Sequence, residues 1–427
     1  MKTSHLLHIT AALVLFLIAP SLQVLAADGD WGVTLDAEGT ARVEEDDWDD
    51  IDTTLAFTSA LWGRLYFADP QRPAANTFEL AAQGSYTYTD ERAYLFDVDL
   101  LRITGRYPDL IGSSSLLEAS AGRFRFRDTS GRVVSHLADG GRLRLRFPDF
   151  NLRLDAAYTG LQLNPNSDFR MSQSDIVEID DDDEFFGPKR VFGIAEFAHV
   201  TLLEPHTLRI GVAGQYDLRD ADDDEFTVHS GYYTAALGGP LVGDLYYDID
   251  ATLMQAVVDN GSSENLLGLV AGARLRYFRE DILGSRASMS GVYASGDGNG
   301  LDPFIPLSVT SLGTVFSAEL QDIIYSELAY SLRPFSGMNA RALQNVQTGI
   351  NIRSFFQATE AEDAANPADG RWYGNEITLD IAARIFSDLG LGISAGVFLP
   401  VTDSDLGVLG SDADPRYFGK IEVSTAF

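Results

Sequence analysis

The chain has no cysteine in its 427 residues. That excludes a disulfide scaffold, a Cys-ligated zinc or iron–sulfur site, a thiol nucleophile and an N-terminal lipid on cysteine. Positive charge is scarce: 31 Lys+Arg stand against 63 Asp+Glu, a formal net charge of −32. Nucleic acid is therefore not an expected partner, because its backbone needs a large basic face. Beyond the N-terminal segment there is no apolar run of about 18 residues, so no further helical membrane span is expected. What is present is apolar and aromatic. The hydrophobic share is 45% and the aromatic share 11%, too much for a disordered acidic chain.

The first residues read as an address. Lys2 opens a short polar stretch, Ala11 to Ala19 is an unbroken apolar run, and Val24-Leu25-Ala26 places small residues at a cleavage site. Residues 1–26 are thus expected to be a secretory signal peptide, leaving 27–427 as the mature chain. The apolar run falls short of the ~20 residues of a membrane anchor. Losing Lys2, the only charge before Asp28, would take the net charge from −32 to −33.

The remainder alternates with period two. Phe78, Leu80, Ala82, Gly84, Tyr86 and Tyr88 fall on one face of a stretch whose other face carries Glu79, Gln83, Ser85 and Thr87. The same pattern recurs at 245–253, 267–277 and 376–385. Such strands run ~10–15 residues, which fits a tilted bilayer span rather than a soluble sandwich. About 18 of them are expected. Among them are 113–127, 141–148, 150–163 and a last one at 415–427. Connections after even-numbered strands are mostly short, as at Pro148-Asp149 and Ser387-Asp388, whereas those after odd-numbered strands are longer and acidic, as at 163–190 and 297–322. The fold class expected is all-β: a closed, transmembrane, antiparallel β-barrel of the bacterial outer membrane. The final strand, ending at Phe427, must pair with the first so that no edge stays open in lipid. It looks like the terminal strand that barrel-assembly machinery reads.

If one face meets lipid, the other lines a lumen. Charged residues collect there, so the lumen is expected to hold water rather than a packed core. No folded plug domain is expected ahead of the first strand, because only a few residues separate Ala26 from Trp31. Residues 120–155 break the acidity with eight arginines against four acids (Asp128, Asp139, Asp149, Asp155). Arg142, Arg144 and Arg146 alternate with Leu143, Leu145 and Phe147, Arg153 continues the face, and Arg123, Arg125 and Arg127 alternate with Phe124 and Phe126. The expected pore wall is Arg123, Arg125, Arg132, Arg142, Arg144, Arg146 and Arg153, with Asp97 and Asp99 as counter-charges. Two readings stand side by side, a track for an anionic solute and an internal salt-bridge lattice. The acidic clusters at Glu44–Asp47, Asp180–Glu184 and Asp222–Glu225 read first as a solvated loop surface. The spacing of Asp220, Asp222 and Asp224 also admits Ca²⁺ bridging to lipopolysaccharide, although the glycine and distal glutamate of an EF-hand loop are missing.

Three segments carry a family resemblance. They are Gly122-Arg123-Phe124 with Gly131-Arg132 and Asp139-Gly140-Gly141-Arg142; Gly296-Asp297-Gly298 leading to Phe304-Ile305-Pro306-Leu307; and Trp372-Tyr373-Gly374-Asn375-Glu376-Ile377-Thr378-Leu379 with Asp388-Leu389 and Ala395-Gly396-Val397-Phe398. Together they resemble the alginate-export group of outer-membrane porins, with Phe124 where that group has a glutamine. The resemblance implies an 18-stranded monomeric barrel passing an anionic polysaccharide or similar solute. It also implies that Arg123, Arg132 and Arg142 lie near the constriction.

An enzyme is not expected. The one Gly-x-Ser-x-Gly match, Gly392–Gly396, lies inside an expected strand rather than at a strand-to-helix elbow. No cofactor is implied. The functional expectation is an outer-membrane channel for passive passage of a small hydrophilic, anionic solute. The alternative is a structural or adhesin-type barrel acting through its acidic outer loops.

Overall fold

A computed structural model describes residues 29–43, 51–67, 76–89, 95–181, 184–219, 226–259, 263–298, 300–359, 371–402, 407–409 and 413–427. The expected signal peptide and Asp220, Asp222 and Asp224 lie outside the described residues.

Period-two alternation becomes eighteen strands in chain order. The first nine are β1 (Gly29–Val43), β2 (Ile51–Phe67), β3 (Thr77–Thr89), β4 (Leu95–Pro108), β5 (Leu116–Arg127), β6 (Ser135–Arg146), β7 (Phe150–Tyr158), β8 (Arg190–Leu203) and β9 (His206–Asp217). The second nine are β10 (Thr227–Val242), β11 (Leu245–Asp259), β12 (Ser263–Arg279), β13 (Ser285–Ala294), β14 (Ile323–Leu332), β15 (Gln347–Gln357), β16 (Trp372–Arg384), β17 (Leu389–Pro400) and β18 (Arg416–Ala426). Each pairs antiparallel with its chain neighbours, and β18 pairs with β1 from Thr34↔Ala426 to Val43↔Tyr417. Val33 and Phe427 exchange both backbone hydrogen bonds, at 3.1 and 2.9 Å. The sheet is therefore a closed barrel without an edge.

The outer face is a belt of exposed apolar side chains, including Leu101 (52%), Leu143 (50%), Ile249 (46%), Leu328 (53%), Leu379 (55%) and Ile421 (57%). Their inward neighbours are polar or buried. A belt of this extent round a closed barrel belongs in a bilayer. Connections differ between the two ends broadly as expected, with exceptions: β11 and β12 are close in sequence at the long-loop end, ending at Asp259 and starting at Ser263. Residues 333–346, after β14, form a longer connection at the short-turn end and contain a four-residue helix, Arg341–Gln344.

Two local departures from plain alternation matter for the lumen. In β4, Gln83 pairs Leu100 but Gly84 pairs Val98, so Asp99 is an extra residue, a β-bulge. The outward set shifts from Phe96 and Val98 to Leu101 and Ile103. The second departure is at Gly122. The β4–β5 ladder stops at Leu101↔Arg123, and the β6–β7 ladder starts only at Asp139↔Tyr158. Beyond these limits β5 and β6 pair with each other alone, from Phe124↔Ala138 to Arg127↔Ser135. Gly122 has φ +121°, and a Cβ there would stand 1.9 Å from the Leu101 carbonyl oxygen. Only glycine allows that bend. The β5–β6 tip leaves the wall as a two-stranded tongue and enters the bore.

This corrects two expectations. The strand expected at 141–148 begins at Ser135, because Gly140-Gly141 is a strand interior and not a turn. Phe124 and Phe126 do not face lipid: they are 3% and 0% exposed, since their face of the tongue packs on protein inside the bore.

Candidate functional site in the lumen

Three connections fold into the bore and meet. They are the tongue tip 128–134, the segment 159–189 with helix α1 (Gln173–Asp180), and the segment 295–322. Backbone bonds join them: Leu307 N–H donates to Val133 O at 2.8 Å, Ser308 N–H to the same oxygen at 3.1 Å, and Val309 N–H to Asp168 O at 2.8 Å. Phe126, Phe169, Phe192, Phe304, Leu307 and Leu320 form a dry cluster among them. The expectation of a water-filled lumen without a packed core is thus corrected at the long-loop end. The long connections carry apolar residues that must be buried, and the inside of the barrel is where they are.

Each segment is anchored by ionised or hydrogen-bonded side chains. His136, at the start of β6, meets Asn166 O at 3.0 Å and Gln162 Nε2 at 2.9 Å, and packs against Phe169 with the ring centroids 5.1 Å apart. Asn166 donates to Asp97 at 2.6 Å. Helix α1 begins at a capping box, with Ser172 and Asp175 bonding reciprocally. Asp175 is also fully buried against Arg190, at 2.8 and 2.9 Å, and against Arg219, at 2.6 Å. Arg219 and Glu178 lie outside the strands. Burial pushes Glu178 above the ordinary carboxylate range despite Arg219 beside it. Burial also opposes the charge on Arg219, but Asp217, Asp175 and Glu178 outweigh it and raise its pKa. The segment 311–318 rests on Glu376, whose carboxylate accepts from the N–H groups of Thr314, Val315 and Phe316.

The arginines expected on the pore wall divide into two groups. Arg123, at the tongue root, holds Asp139 at 2.7 Å and Asp97 at 3.2 Å. Arg142 is bidentate to Asp155 at 2.7 and 2.8 Å and lies over the rings of Phe124 and Phe126, 5.0 and 5.2 Å from their centroids. Arg153 holds Glu196 at 3.2 Å, and Arg132 holds Asp250 on β11. These four are engaged in ion pairs within the barrel. The other three are freer. Arg125 is exposed on the tongue's second face and donates to Ser135 O. Arg144 lies 3.6 Å from Glu118, and Arg146 is exposed at the turn end of β6. Asp99 is held by Gln83 and Ser85, at 3.1 and 2.9 Å, rather than in an arginine pair.

Two arginines escaped the sequence reading. Arg102 and Arg106, one strand back, share Glu79, and Arg106 also holds Glu118. The bulge at Asp99 hid their phase. Elsewhere on the inner face Lys420 bridges Glu38 at 2.8 Å and Glu422 at 3.3 Å. Ser394, in the Gly-x-Ser-x-Gly match, lies mid-strand in β17 and donates to Asp380 at 2.7 Å. Among the described residues no cluster of histidines and carboxylates is placed to hold a metal.

Solved structures share this architecture. Pseudomonas aeruginosa OccK3 (OpdO) superposes with a TM-score of 0.58 at 16% identity, covering 95% of this chain and 97% of that one. Pseudomonas aeruginosa OccK11 (OpdR) gives 0.57 at 13%, covering 94% and 96%. A variant of OccD1 (OprD) gives 0.55 at 12%, covering 94% and 96%. The chain thus has the fold of the 18-stranded outer-membrane porins. No protein-family profile matches it, and no curated protein matches it in sequence.

Proposed function

We propose that this protein is a bacterial outer-membrane channel for the passive passage of a small hydrophilic solute bearing anionic groups. The short-turn end faces the periplasm and the long-loop end the exterior. One observation carries the reading. Among the described residues Arg125 and Arg146 stand along the bore without an ion-pair partner and Arg144 has only Glu118 at 3.6 Å, while Arg123, Arg142 and Arg153 are neutralised in place. Paired arginines build the wall, and the freer ones present cationic donors to what passes. An acidic oligosaccharide, the cargo implied by the alginate-export resemblance, is one solute of this class. β18 with the Phe427 that follows it is the natural signal to the assembly machinery, and the acidic outer loops the natural contact with lipopolysaccharide.

Planar-bilayer recording tests this. Wild type is expected to conduct in discrete steps with anion preference. Arg144→Ala/Arg146→Ala is expected to lower the anion-to-cation permeability ratio about two- to fivefold at unchanged stability. Arg142→Ala is the wrong probe, because it removes a wall contact. The three segments packed in the bore favour the alternative, a structural or adhesin-type barrel. A purified barrel that folds but stays silent would select it.

A further inference from the structure

We propose that Arg132 and Asp250 form the pin that sets how far the tongue closes the bore, a reading that rests on the channel function proposed above. The tongue tip is built to aim Arg132. The Asp128 carboxylate accepts from Ser130 N–H at 2.8 Å and from Val133 and Val134 N–H at 3.0 Å each, folding Asp128–Val134 into one tight loop. The Arg132 side chain projects from that loop to the wall. Its Nε donates to Asp250 Oδ2 at 2.8 Å and its Nη2 to Oδ1 at 3.1 Å, a forked pair.

The wall is shaped to receive it. Asp250 on β11 is the register partner of Gly272 on β12. A Cβ at Gly272 would stand 1.9 Å from Arg132 Nη2, so the guanidinium occupies the space a side chain there would take. The two side chains are 22% and 14% exposed, which removes most solvent screening. The tip's backbone ties, from Leu307 and Ser308 to Val133 O, run to another inward segment and not to the wall. Among the described residues, Arg132–Asp250 is the ion pair that joins tongue tip to barrel. Arg132 is therefore a positioning residue. Both donors face Asp250, and it acts on passage by fixing the tongue, whereas Arg125 on the tongue's exposed face is placed to meet solute.

The absence of native cysteine makes the test clean. Spin labels on Arg127→Cys, exposed beside the tip, and Ile249→Cys on the outer face report tip-to-wall distance by pulsed EPR. Single-channel conductance is recorded on matching label-free proteins. The labelled parent is expected to give one narrow distance distribution. Arg132→Ala and Gly272→Ala, which disturb the pair from opposite sides, are expected to broaden it and to raise conductance about twofold. The exchange Arg132→Asp/Asp250→Arg is expected to restore both. A distribution unchanged by Arg132→Ala and by Gly272→Ala overturns the pin, whatever the conductance. A wild type that never conducts overturns the channel reading instead, and the distances still decide the pin.

Discussion

Replacing Glu376 by alanine is expected to cost the folded barrel about 3–5 kcal/mol and to open its bore. Glu376 is fully buried on β16 and ion-paired to Arg353, which also holds Glu327 at 2.9 Å. Its Oε2 accepts from Val315 N–H at 2.8 Å and Phe316 N–H at 2.9 Å, and its Oε1 from Thr314 N–H at 3.0 Å. One carboxylate thus satisfies three consecutive backbone donors and pairs with the partly buried Arg353 guanidinium. Alanine strands all of them. The estimate takes only the broken charge pair, since water in the bore can reach part of the freed backbone. With the cradle gone, the segment 311–318 loses three backbone anchors and is left to side-chain contacts such as the Phe316 stack on Phe398 at 4.4 Å and its edge contact with Phe355 at 5.1 Å. Urea unfolding followed by tryptophan fluorescence should show the loss, and bilayer recording should show larger conductance steps. Glu376→Gln, which keeps an acceptor oxygen without the charge, should fall between. Alanine and glutamine variants that unfold with wild type would refute the cradle.

The strands were legible because lipid on one side and a polar interior on the other force strict alternation, and closure forces it on every strand. Residues 376–385 alternate in sequence, and β16 runs from Trp372 to Arg384. Legibility ended where the two-sided rule ends. Phe124 and Phe126 alternate with arginines just as lipid-facing residues do. Nothing local records that Gly122 turns the strand out of the wall, so the phase was right and the environment wrong. Asp99 failed differently, because Val98-Asp99-Leu100-Leu101 offers no sign of which residue is the extra one.

The site was half legible for the same reason. That Arg142 and Arg144 share a face follows from spacing. That Arg142 is spent on Asp155 while Arg144 is only loosely held depends on which carboxylate the next strand places opposite, which register alone decides. The partner of Arg132 is 118 residues away, and no pattern in sequence links Asp250 to it. The inward path of 159–189 and 295–322 was equally hidden. Their apolar residues follow no strand period, and long connections at this end of a barrel can stand in solvent or turn inside.

A second large effect is expected at the other anchor, where Arg190→Met should destabilise the protein by about 3–5 kcal/mol. Arg190 opens β8 and is fully buried. Its Nη2 donates to Asp175 at 2.8 Å and lies 2.8 Å from Asp217, while its Nη1 donates to Gln215 Oε1 at 3.2 Å and Val228 O at 3.1 Å. Methionine fills comparable volume but leaves two carboxylates facing Arg219 alone, which lies 2.6 Å from Asp175 and 2.7 Å from Asp217. The penalty comes from the unmatched charge rather than lost packing, so removing a matching acid should relieve it. The double variant Arg190→Met/Asp175→Asn is expected to recover at least half of the loss, because Arg219 then faces one buried aspartate instead of two. The asparagine also keeps an oxygen for the N–H groups of Met171 and Ser172 that now bond Asp175 at 2.7 and 2.9 Å. Urea midpoints of the wild type, both single variants and the double give the coupling directly. Strict additivity would show that the two residues do not act as a pair, and that helix α1 is held over the bore by something other than this buried charge.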